Sequence, residues 1–158
     1  MALSDILVLG GVVVGTALFF LWHRSVHARG RQLVAATWLG FFGLLLVISM
    51  LAHSIEVLAH VFRRDVALSG DPWAYDFRTY SLLLLGGVLI VIGAGVLRAA
   101  ADVGRGRTGG RAHATRRTVA ALAVVLPLIP IQAFFGILVS ALAGVTLFVL
   151  AATHQPGR

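Results

Sequence analysis

The 158-residue chain is 59% hydrophobic and only 12% charged, carries no cysteine and has a net charge of +7. Its mean hydropathy of +0.95 lies outside a soluble domain of this size, and the missing cysteines exclude disulfides, thiolate metal ligands and thiol nucleophiles. The basic excess, thirteen arginines and no lysine, gathers beside apolar runs, so it reads as membrane topology before nucleic-acid binding.

Four apolar runs predict an all-α, polytopic integral membrane protein. Residues 1–158 form one transmembrane domain, a four-helix transmembrane bundle with long helices. The first run, Ile6 to Trp22, predicts a helix over 4–24; roughly 26 Å of helix just spans a hydrocarbon core of about 30 Å. No basic residue precedes it and an Arg-rich loop follows, so it is expected to stay as a helix rather than leave as a signal peptide. Gly11 and Gly15 recur at the four-residue spacing that lets helix backbones approach in lipid. The loop 24–31 brings Arg24, Arg29 and Arg31, and His23 and His27 beside them read as a basic interfacial cap.

A second helix is predicted over 33–62. Ser49, His53, Glu56, His60 and Arg64 fall within about a quarter of its circumference. Twenty residues carry the helix across the bilayer from Leu33 to Ala52, so this stripe is expected at or beyond the outer boundary, as a contact face for another helix or partner chain. The competing reading is a metal site, since imidazole and carboxylate suit Zn²⁺ or Cu²⁺. Its candidates are His53, Glu56 and His60, with His154 from the expected outer end of the fourth run. His53 and His60 stand about 10.5 Å apart along the axis, too far to share one ion on an unbroken helix.

The next loop sets three aspartates against three arginines. A third helix is predicted over 79–101, where GGVLIVIGAG reads as packing, followed by a basic loop over 98–117 with six arginines. GRGRTGG reads as a flexible basic segment, because the Lys-Ser/Thr of a phosphate-binding loop is missing. Arg105, Arg107, Arg111, Arg116 and Arg117 are candidate contacts for anionic lipid or nucleic acid.

The fourth run, Thr118 to Ala152, holds no charge and would extend roughly 52 Å as one helix. Pro127 and Pro130 each remove a backbone donor, so the run must bend. PLIPIQ is too apolar for an exposed turn, and a single kinked helix over 118–152 is expected; the alternative is five apolar segments, with the fourth run broken at Pro127/Pro130. Gly136, Ser140 and Gly144 offer a small-residue face for packing or self-association.

With four crossings, both Arg-rich loops fall on one side. The positive-inside rule then puts 24–31 and 98–117 in the cytoplasm and both termini outside a cell membrane or particle envelope. Trp22 and Trp38 are expected near the inner interface, and Trp73, Tyr75 and Tyr80 near the outer. No Ser-His-Asp or paired-carboxylate arrangement marks an enzyme, and no cofactor is expected. The leading expectation is a non-enzymatic structural or accessory subunit of a membrane assembly, bound to other membrane subunits or to itself. A metal or redox accessory protein using the outer stripe comes second. A small transporter or channel comes third, with only Glu56 and Gln132 available to line a polar path.

Overall fold

The computed structural model describes residues 14, 15, 17, 30–67, 77–130 and 133–154, and these contain helices and turns but no strand. In the first run Val14, Gly15 and Ala17 are helical. The rest of that run, with Gly11, Trp22, His23 and His27, lies outside the described residues, as do Trp73, Tyr75 and Gln132. Four helices follow: α1 (Arg31–Ala67), α2 (Phe77–Gly104), α3 (Gly110–Val125) and, after a 3₁₀ turn at Leu126–Leu128, α4 (Ala133–Ala152). Three of them contain stretches long and apolar enough to cross a membrane: Arg31–Ala59, Leu83–Gly104 and Phe135–Ala152. The 16-residue α3 is not among them, because its first half, GRAHATRR, is polar.

α1 starts at Gly30, whose φ of 62° is open to glycine at little cost, and whose carbonyl accepts from the amides of Leu33 and Val34. With 37 residues it reaches about 56 Å. It runs antiparallel to α2, and the two share the most extensive interface among the described helices. They approach most closely where glycines meet: a methyl on Gly43 would lie 3.0 Å from the Gly93 carbonyl oxygen, and one on Gly93 would lie 3.1 Å from that of Gly43. Around this crossing Leu39, Phe42, Leu46 and Met50 of α1 pack with Leu89, Ile92 and Val96 of α2 in the common core.

The predicted loop 98–117 is largely helical. α2 continues to Gly104 and α3 begins at Gly110, so only residues 105–109 turn. Their geometry is that of a Schellman stop: the Arg107 amide donates to the Asp102 carbonyl at 2.9 Å and the Gly106 amide to that of Val103 at 3.1 Å. Gly106 (φ 67°) and Gly109 (φ 87°) take the left-handed conformations this requires. GRGRTGG is thus an ordered helix-to-helix turn, not the flexible loop its glycines suggest.

The single helix expected over 118–152 is also absent. Pro127 sits in the 3₁₀ turn, Pro130 follows three residues later, and neither can donate the amide hydrogen bond that would continue α3. The chain folds back, and α4 packs against α3. Gly136 permits the fold, since a methyl there would lie 3.0 Å from the Cα of Ile129. Leu128 of this turn is buried in the common core, whereas Leu126, Pro127 and Pro130 are exposed. Thr146, fully buried on α4, ties the hairpin to α1 by accepting a 2.9 Å hydrogen bond from the Trp38 indole and donating its own hydroxyl to the Leu142 carbonyl at 2.7 Å. Trp38 therefore holds two helices together, with Phe41 stacked at a tilt 5.6 Å away.

Candidate functional site

The antiparallel order gives the bundle a basic end. Gln32 lies 3.9 Å from the space a Gly106 side chain would fill, so the start of α1 meets the turn between α2 and α3. α4 ends there as well. Arg111 donates from Nη1 to the Leu150 carbonyl at 2.9 Å and to Thr153 Oγ1 at 3.1 Å, and from Nη2 to the Thr153 carbonyl at 2.8 Å. These carbonyls terminate α4 and lack intrahelical donors, so the guanidinium satisfies them where the helix dipole favours a cation. A groove of about 440 Å³ between α3 and α4 is lined here by Arg111, Thr115, Leu147 and His154, among others.

Two expectations change accordingly. The end of α4 meets the Arg-rich turn at one end of the bundle, whereas the four expected crossings set these two segments at opposite ends. His154 consequently cannot join His53: α1 carries His53 twenty-two residues, about 33 Å, from Arg31 and the basic end. The fold thus removes His154 from the metal set read from the sequence.

The five arginines proposed as anion contacts also divide. Arg107 pairs with Asp102 at 3.1 Å, Arg111 is engaged by α4, and Arg105 has partners of its own. Arg116 is exposed and Arg117 is half-buried, and among the described residues neither forms an ion pair or side-chain hydrogen bond.

At the far end, the structure describes Ser49 and His53 of the polar stripe; the side chains of Glu56, His60 and Arg64 lie outside the described residues. Ser49 donates to the Leu45 carbonyl of its own helix, which absorbs its hydroxyl locally. Ser49 and His53 are half-buried and stand in register near Leu46 and Met50, the face turned to α2. The free face is the opposite one, roughly 170° around the helix. It is formed by Leu51, Ile55, Leu58 and Phe62, which are 44%, 64%, 43% and 67% exposed and follow one another at steps of four, three and four residues. Lower on that face Leu44 meets Gly15, where a methyl would lie 3.1 Å from Leu44 Cδ1. Gly15 of the first apolar run therefore touches the lower part of this face, while among the described residues the upper part is uncovered.

The small-residue face of the fourth run is covered at Gly136 and Ser140 and open at Gly144. Gly136 packs into the hairpin turn, whereas nothing lies within 4 Å of a methyl on Gly144, and Ser140 Oγ is buried without a partner. The open seam on α1 had a legible signal in its four-three-four spacing, masked by the more conspicuous histidines beside it. Family models, curated proteins and solved structures offer no match to this chain.

Proposed function

We propose that this chain is a non-enzymatic structural or accessory subunit of a membrane assembly, a larger complex or an enveloped particle, with its basic end in the cytoplasm or particle interior. The observation that supports this reading is the seam of α1 that no other described residue covers. Twenty residues from Leu33 use up the hydrocarbon core, so Ile55, Leu58 and Phe62 stand beyond it, where an exposed row of large apolar side chains marks a protein contact. The four-three-four spacing suits knobs-into-holes packing against another helix. This seam lies on the opposite face of the helix from the polar stripe read as a contact face in the sequence, and we propose it as the partner contact in its place.

Because the chain has no cysteine, the test is direct. Ile55→Cys and Leu58→Cys variants in native membranes, treated with a short bifunctional thiol-to-amine cross-linker, should yield an adduct of defined mass, and Thr108→Cys at the basic end should not. Ile55→Glu should abolish co-migration with the partner in mild detergent while leaving the helical circular dichroism intact. Monomers alone, with no adduct from either seam position, would count against the reading.

A further inference from the structure

Arg117 holds a place unlike that of the other arginines. It lies across α2 at Gly95, where a methyl would sit 2.9 Å from its Nε, 3.1 Å from its Cδ and 3.3 Å from its Cζ. The missing side chain is what lets the guanidinium rest on the helix. Arg98 follows Gly95 by three residues, so its Cβ is roughly 5–6 Å from the same spot, on the same flank of α2. Among the described residues neither arginine has an ion pair or side-chain hydrogen bond, and the nearest acid in the sequence, Asp102, is held by Arg107. Glu56 and Asp65 belong to the far part of α1. Among the described residues no carboxylate thus pairs with either cation, although the half-buried charge of Arg117, drawn partly out of water, calls for a counter-charge.

The surface leading away from this pair is apolar. Leu84, Val88 and Val91 are exposed, Ala94 continues them, and the strip ends at Arg98. We infer that Arg98 and Arg117 together hold the phosphate of an anionic phospholipid, with an acyl chain along Leu84, Val88 and Val91. The guanidinium fork matches phosphate oxygens, and the strip matches the chain. A free phosphate would leave the strip unused, and a nucleic acid would draw on the outermost arginines of the turn instead. The inference rests on the membrane-spanning reading above and narrows the anion contacts to Arg117 and to Arg98, which the basic turn had overshadowed.

The test is native mass spectrometry of the purified full chain in mild detergent, with palmitoyl-oleoyl phosphatidylglycerol, the matching phosphatidylcholine, or inorganic phosphate added. Phosphatidylglycerol adducts should exceed phosphatidylcholine adducts, and phosphate at equal concentration should not displace them. Arg98→Gln/Arg117→Gln should lower phosphatidylglycerol retention on the order of tenfold, whereas Arg107→Gln should leave it unchanged. Gly95→Val, which displaces Arg117 without altering net charge, should also lower it. If the double variant loses its helical circular dichroism, Arg98→Gln alone decides, since that side chain is exposed. Equal retention of the two lipids, unchanged retention in the arginine variants, or full competition by phosphate or by a single-stranded oligonucleotide would overturn the inference. Release of the protein from membranes by alkaline carbonate would overturn the membrane reading itself, and is scored separately.

Discussion

Arg111 shows how one side chain decides a fold here. Its three hydrogen bonds join the first turn of α3 to the end of α4, and two of them replace water at carbonyls that α4 cannot satisfy internally. Arg111→Ala is expected to lower stability in detergent by about 2 kcal/mol, the scale of hydrogen bonds to a charged donor. Arg111→Lys should fall between, because an ammonium cannot reproduce the planar fork. Denaturant titration followed by circular dichroism measures both; an alanine variant as stable as the parent would mean that the hairpin closes without this contact. Trp38→Phe keeps the ring and removes the donor to Thr146, and should cost about 1 kcal/mol in the same titration.

Among the elements, glycines of similar appearance in the sequence differ sharply in what they do. Gly43 and Gly93 set the distance between α1 and α2, and a methyl on Gly43 would meet Leu97 Cγ at 2.9 Å as well as the backbone of Gly93. Gly43→Ala is expected to force the helices apart and lose about 1–3 kcal/mol. Gly144→Ala meets nothing and should be neutral or stabilise α4 by up to about 1 kcal/mol through helix propensity. Thermal unfolding of the two variants side by side checks the contrast, and equal destabilisation would refute it. The packing in GGVLIVIGAG was legible as a class, since small residues in an apolar run imply close approach. Which glycine faces which neighbour was not, because Gly87 is open and Gly86 meets Ser54 one residue away.

For the molecule as a whole, the hairpin changes which elements share an end of the bundle. α3 and α4 together leave the basic end and return to it, so Thr108 and His154 lie at one end and Phe62 toward the other. In the cysteine-free background, Thr108→Cys and His154→Cys should share their accessibility to an impermeant thiol reagent in intact cells, with Phe62→Cys showing the reverse. Labelling of Thr108→Cys and His154→Cys from opposite sides would falsify the hairpin arrangement.

The sequence by itself determined that the chain is helical and rich in long apolar runs, and that arginines gather beside the ends of these runs; it read four such runs as crossings, where the described helices contain three stretches long and apolar enough to cross a membrane. Those properties are local sums of hydropathy, length and charge, and a window of about twenty residues contains them. It also marked Pro127 and Pro130 as a break, but a missing amide says only that a helix stops, not where the chain goes next. Only the tertiary structure decided that α4 turns back, through Gly136 on Ile129 and Arg111 on Thr153 forty-two residues away. It alone turned Ser49 and His53 toward the α2 side, left the opposite seam of α1 uncovered among the described residues, and laid Arg117 on Gly95. Each of these depends on partners distant in the chain, as Trp38 and Thr146 are at a separation of 108 residues, and no periodicity within one helix specifies which face another helix will cover.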